Sequence, residues 1–130
     1  MVPVKSCMVP LEKFVKIDRD ETVRVAAQLM RDRDIGSVFV TSKGEVIGIV
    51  TDTDLVRRVV AAGVDPAQTT VEKVMSAPVI SIEGDRTLLD ANDLMAREHV
   101  RHLGVTANGK LIGMISVRDL VVFLTNLPRK

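Results

Sequence analysis

The sequence contains no Trp and no Tyr, and its aromatic content is three Phe. Proteins that hold single-stranded nucleic acid stack the bases on aromatic rings, so this class of partner is disfavoured at once. Charge argues the same way. The 18 basic and 17 acidic residues leave a formal net charge of +1, and neither sign gathers into the blocks that bind long nucleic acid. Cys7 is the single cysteine, which excludes an intrachain disulfide and removes any need for an oxidising compartment. No apolar stretch reaches the roughly 18 residues of a membrane span, and Met1-Val2-Pro3-Val4-Lys5 lacks the basic start and apolar run of a signal peptide. A soluble, cytoplasmic chain with no nucleic-acid and no membrane partner is expected.

The usual means of catalysis are scarce as well. Two His and one early Cys do not form a Ser-His-Asp or Cys-His nucleophile arrangement, and no glycine-rich phosphate cradle is present. His99 and His102 stand three residues apart, but zinc takes three or four ligands, and Cys7 is remote in sequence. No catalytic residue and no metal ligand is assigned, so an enzyme ranks behind a binding or interaction protein.

What the sequence does hold is a duplication. Gly48-Ile49-Val50-Thr51-Asp52-Thr53-Asp54-Leu55 returns 65 residues further on as Gly113-Met114-Ile115-Ser116-Val117-Arg118-Asp119-Leu120. The same offset carries Asp20 onto Asp85, Thr22 onto Thr87, Leu29-Met30 onto Leu94-Met95 and Gly44 onto Gly109. Two copies make an intramolecular pair, since a solenoid needs at least about three stacked units. With 46% apolar residues in 130, the chain has enough core for one compact unit.

Each copy reads as β-α-β-β-α. In the first, Val15-Lys16-Ile17 is a short strand, Thr22 caps a helix to about Asp34, and Gly36 closes it. Two strands then flank Ser42-Lys43-Gly44, and Thr51 opens a helix with an apolar stripe of Leu55, Val56, Val59 and Val60, ended by Gly63. After a linker at 65–70, a helical turn covers Val71 to Met75. Val79 to Ile82 then forms a strand, Thr87 to Glu98 a helix, and a hairpin turns at Asn108-Gly109. The last helix runs from Ser116 to about Asn126. Residues 1–14 form a lead-in touching the body through Met8, Leu11 and Phe14.

In that last helix Val122 and Phe123 replace Arg57 and Arg58 of the first copy. A helix apolar most of the way round is buried on more than one side, so a symmetric homodimer through the Val122/Phe123 face is expected. The alternative is that the lead-in covers these two residues.

Thr51 with Asp54, and Ser116 with Asp119, place a hydroxyl three residues before a carboxylate. As structure, this spacing is a capping box. As function, the carboxylate can accept hydrogen bonds from a pair of sugar hydroxyls while the hydroxyl and helix N–H groups meet a phosphate. The spacing does not choose between them. Arg101 and His102 suit a phosphate or an exposed helix end.

The repeated unit, ending in Gly-hydrophobic-hydrophobic-Thr/Ser-x-x-Asp-Leu, resembles the cystathionine-β-synthase (CBS) domain, and the pair resembles the tandem called a Bateman module. The resemblance implies an α/β (α+β) fold of two CBS repeats, at 8–64 and 71–127, related by a pseudo-twofold axis. It further implies two clefts between the repeats that take adenosine compounds such as AMP, ADP, ATP or S-adenosylmethionine as ligands, no cofactor being required. By the same resemblance Asp54 and Thr51 hold ribose and phosphate, Val79 and Ile80 line the base, and Arg101 and His102 reach the phosphates. Asp119 and Ser116 take the first two roles in the other cleft, with Val15, Lys16 and Ile17 around the base. Gly36-Ser37 at the basic position leaves that cleft without the cations and therefore weaker. The expected function is a non-enzymatic ligand sensor acting on a regulated protein that the sequence does not name. The alternative is a ligand-free dimerisation and interaction module.

Overall fold

The computed structural model describes residues 2–126, so the expected end of the second repeat, Leu127, lies outside the described residues. In chain order the elements are β1 (Val9–Pro10), β2 (Lys16–Asp18), α1 (Val23–Arg33), β3 (Ser37–Ser42), β4 (Glu45–Thr51), α2 (Asp52–Leu55), α3 (Val71–Val74), β5 (Ser81–Glu83), α4 (Leu88–Glu98), β6 (His102–Ala107), β7 (Lys110–Ser116) and α5 (Val117–Thr125). Short 3₁₀ turns at Val4–Ser6 and Leu11–Lys13 flank β1.

The chain forms two compact units, where its length suggested one. One unit is Val15–Val79; the other joins the residues up to Phe14 to those from Ile80 onward. In the first, β2 runs parallel to β3 and β3 antiparallel to β4. In the second, β5, β6 and β7 repeat that arrangement and β1 adds an antiparallel strand beside β7. The hairpin registers correspond pair for pair at the 65-residue offset, including a register shift after Val40 and after Val105.

Turn chemistry sets these hairpins. Lys43-Gly44 and Asn108-Gly109 all have positive φ, the backbone of a tight turn whose twist matches that of the strands it joins. The helices α1 and α4 end where expected, but the residue that stops α1 is not the expected one. Asp34 and His99, not Gly36, take the left-handed conformation that stops α1 and α4, and the next amides, Ile35 and Val100, donate back to the carbonyls of Met30 and Met95. Asp and His are among the residue types that tolerate this backbone, and His99 is thereby a helix cap. After α2 the helix widens: the Ala61 and Val64 N–H groups donate to the carbonyls five residues back. The wider turn breaks the expected stripe. Val59 is buried, while Val56 and Val60 are 60% and 77% exposed.

The lead-in is a structural element in its own right. Val4 is fully buried against Ile82, Leu103 and Ile115, with Cys7 and Met8 packed beside it. The Val4 and Lys5 N–H groups donate to the carbonyls of Arg86 and Gly84. Val71 and Glu72 do the same in the other unit, donating to Glu21 and Arg19. Val4-Lys5-Ser6-Cys7-Met8 thus corresponds to Val71-Glu72-Lys73-Val74-Met75, at a spacing of 67 residues. The lead-in does not cover Val122, which stays 49% exposed.

Glycine makes the junction of lead-in and sheet possible. A Cβ on Gly113 would stand 2.5 Å from the Val9 carbonyl oxygen and 2.7 Å from Met8 Sδ; on Gly48 it would meet Met75 Sδ at 2.7 Å and the Ser76 carbonyl oxygen at 2.9 Å. Gly113→Ala is therefore expected to push β1 off β7 and cost about 1–3 kcal/mol as an overpacking substitution. Urea unfolding checks this, and an unchanged midpoint would contradict the close approach.

Candidate functional site

Both strand-to-helix junctions share one construction. β4 ends at Thr51, the N-cap of α2. Its Oγ1 accepts from the Asp54 N–H at 3.3 Å, while Asp54 Oδ2 accepts from the Thr51 N–H at 2.9 Å and from its hydroxyl at 3.2 Å. At the end of β7, Ser116 Oγ accepts from the Asp119 N–H at 3.2 Å, and Asp119 Oδ2 accepts from the Ser116 N–H and hydroxyl at 2.8 and 3.0 Å. Reciprocal caps of this kind stabilise a helix start by about 1 kcal/mol each. They engage one oxygen of each carboxylate. What else each Asp can do depends on the other oxygen.

The second oxygens differ. Asp54 Oδ1 accepts from Ser76 Oγ at 3.0 Å and lies 3.8 Å from Arg58 Nε. The same guanidinium donates to the carbonyls of Val74 and Met75, at 3.2 and 3.0 Å. Asp54 is only 6% exposed. Among the described residues no donor reaches Asp119 Oδ1, and because no buried side-chain oxygen there lacks a partner, this atom faces solvent. The corresponding positions explain the contrast. Val9 pairs with Met114 where Ser76 pairs with Ile49, and Phe123 stands at the position of Arg58.

Each unit brings its own strand starts to the junction. The β6–β7 register sets His102 opposite Ser116, the Val117 N–H donates to the Arg101 carbonyl at 3.0 Å, and the Gly104 N–H donates to the Ile80 carbonyl at 2.8 Å. Ile80, Arg101, His102, Ser116 and Asp119 therefore share one sheet end. In the other unit Ser37 lies opposite Thr51, the Asp52 N–H donates to the Gly36 carbonyl at 2.9 Å, and the Phe39 N–H donates to the Val15 carbonyl at 3.0 Å. Val15 and Lys16 join Thr51 and Asp54 there. Ile17 turns its side chain into the core, and Val79 ends the unit.

By the family resemblance Arg101 and His102 go with the Asp54 cleft; within their own unit they lie at the sheet end of Ser116 and Asp119. An antiparallel hairpin pairs the start of its first strand with the end of its second, and so the Asp119 motif carries both cationic positions within its own unit. Ser76 and Arg58 were not singled out as site residues. The 67-residue spacing that aligns Met8 with Met75 was the available signal for Ser76, because it sets that residue beside Ile49.

Among the described residues no group of three or more His, Cys, Asp or Glu could hold a metal ion, and no helix is long and apolar enough to cross a membrane. Burial, and after it the Asp119 carboxylate, push the Cys7 thiol above its ordinary pKa.

The family model described as CBS domain matches residues 4–61 and 71–126. An uncharacterized protein of Methanopyrus kandleri is 41% identical over 103 residues, covering 78% of this chain and 53% of that protein. The chain thus spans about half the length of that relative. The crystal structure of an uncharacterized conserved protein from Pyrococcus horikoshii matches with a TM-score of 0.90 at 26% identity, over 99% of this chain and 96% of that one. The structure of a hexameric CBS-CP12 protein from bloom-forming cyanobacteria matches with a TM-score of 0.82 at 28% identity, over 99% and 76%.

The Cys7 environment is open to measurement. Alkylation of Cys7 is expected to rise with pH at a midpoint above that of a free cysteine, since the thiolate is the nucleophile. Asp119→Asn removes one of the two causes and should lower the midpoint. An unmoved midpoint would mean that the carboxylate does not act on the thiol.

Proposed function

The chain belongs to the CBS domain family, and from that premise we propose that it is a non-enzymatic regulatory module whose ligand is an adenosine compound: AMP, ADP, ATP or S-adenosylmethionine. The observation that carries the reading is the solvent-facing Oδ1 of Asp119 at the sheet end where His102 lies opposite Ser116. An ionised carboxylate with an open oxygen accepts from sugar hydroxyls. Arg101 and His102 supply cationic and hydrogen-bonding groups for phosphate, and Ile80, at the same sheet end, is the candidate for the base. Thr51 and Asp54, with Val15, Lys16, Ile17 and Val79, are the corresponding candidates in the other unit. A ligand regulates by preferring one conformation of the module over another, and the regulated protein reads the difference.

Self-association belongs to the same proposal. Val121, Val122 and Leu124 of α5 are 52%, 49% and 63% exposed, an apolar patch of the kind that marks an interaction site. A second copy of the chain meeting this face around a twofold axis gives the homodimer, with Val122 and Phe123 at its centre.

Thermal unfolding with AMP, ADP, ATP and S-adenosylmethionine tests the ligand reading. At 100 times its dissociation constant a ligand stabilises by about 2.7 kcal/mol. At least one of the four should raise the midpoint, and the rise should vanish in the double variant Asp54→Ala/Asp119→Ala. No rise with any of the four would leave the two Asp as helix caps and favour a ligand-free interaction module. For the dimer, Val122→Glu or Phe123→Glu should halve the mass seen by light scattering. An unchanged mass places self-association, if any, on another surface.

A further inference from the structure

We propose that Asp54 is a locked carboxylate, held by Ser76 and Arg58, and that the module takes its ligand at Asp119. The inference rests on the ligand-binding reading above and narrows it to one half of the chain. A carboxylate offers about four lone-pair positions on two oxygens. In both Asp residues the capping box uses Oδ2. Gripping two hydroxyls of a sugar then requires Oδ1 to be open.

At Asp119 it is open, since no donor among the described residues reaches it and it faces solvent. At Asp54 the same atom accepts from the Ser76 hydroxyl at 3.0 Å and lies 3.8 Å from the Arg58 guanidinium. A ligand hydroxyl at Asp54 would have to displace Ser76 Oγ, and a polar group stripped of its partner in a poorly hydrated site costs free energy that the new bond must offset. Arg58 makes that displacement harder. By donating to the carbonyls of Val74 and Met75 it fixes the segment that carries Ser76. Val9 and Phe123, the counterparts of Ser76 and Arg58, supply neither a hydroxyl nor a cation to Asp119. The cationic positions follow the same asymmetry: Arg101 and His102 adjoin Ser116, whereas Gly36 and Ser37 adjoin Thr51.

Isothermal titration of the full chain with AMP tests the proposal. One equivalent per chain is expected, lost or weakened at least tenfold in Asp119→Ala and in the near-isosteric Asp119→Asn, and retained in Asp54→Asn. The double variant Ser76→Val/Arg58→Phe copies the Asp119 surroundings onto Asp54 and should bind a second equivalent, of AMP or of adenosine. In the unaltered protein AMP should change the alkylation rate of Cys7, because that thiol senses the charge of Asp119 and its counterpart near Asp54 is Val74. Two equivalents in the wild type, or binding that survives both Asp119 substitutions and disappears in Asp54→Asn, overturns the proposal while the ligand reading stands. A double variant that stays at one equivalent removes the lock from Ser76 and Arg58. An alkylation rate indifferent to bound AMP argues against occupancy at Asp119. No binding by the wild type of AMP, ADP, ATP or S-adenosylmethionine overturns the ligand reading, and this inference with it.

Discussion

The backbone of Val9 lies directly on Gly113, and that of Ser76 on Gly48, at distances that leave no room for a side-chain carbon. Much of the local chemistry follows from this contact. It brings a short turn and strand against the outer edge of each three-stranded sheet, beside the strand whose end carries the capping hydroxyl. Whatever residue sits on that added strand therefore becomes a neighbour of the capping carboxylate. On one side the neighbour is a serine whose hydroxyl closes the carboxylate; on the other it is a valine that leaves it open. A repeat that is nearly symmetric in backbone thus ends in two sites of different chemistry, and the difference is set by residues outside the conspicuous Gly-x-x-Thr/Ser-x-x-Asp motif.

How much of this was legible depends on whether the chemistry is local. The hairpins were readable because Lys43-Gly44 and Asn108-Gly109 admit few other backbones. The capping boxes were readable because a hydroxyl three residues before a carboxylate, where a strand gives way to a helix, has few alternatives. The 65-residue repeat gave the fold class and most element bounds to within two residues. It failed at the lead-in, where the 3₁₀ turn at Leu11–Lys13 adds residues between the turn at Val4 and β2 and changes the offset to 67. Helix ends fell within a residue of Asp34 and Glu98, but the stop of α1 is a positive φ at Asp34 and not at Gly36, a backbone that this residue type tolerates without announcing it. The apolar stripe of Leu55, Val56, Val59 and Val60 failed for a related reason: hydrogen bonds reaching five residues back change the angular spacing on which the stripe was drawn. The neighbours of the two helix starts, Ser76 beside Asp54 and His102 opposite Ser116, come from pairing between strands, which local spacing does not encode.

Membership in the CBS domain family accounts for the fold and for the recurrence of the motif in both halves. It does not by itself distribute ligand chemistry between them. The surroundings of the two helix starts differ through four exchanges between the halves: Arg58 against Phe123, Ser76 against Val9, Gly36 against Arg101 and Ser37 against His102. Three of the four act at a single sheet end in each unit, within reach of the helix start that the capping box holds in place. The fourth, Phe123, also adds to the apolar character of α5, so one exchange both withdraws a cation from a carboxylate and makes a helix more apolar.

The turn completing each compact unit comes from just before the other repeat in the sequence. Residues ahead of β2 finish the unit that begins at Ile80, and residues ahead of β5 finish the one that begins at Val15. Genetically, then, the repeat is not a detachable module. A fragment cut at the linker would carry away the edge strand its neighbour needs and keep one it cannot use. Such a half could complete its sheet only by borrowing the missing strand from another chain.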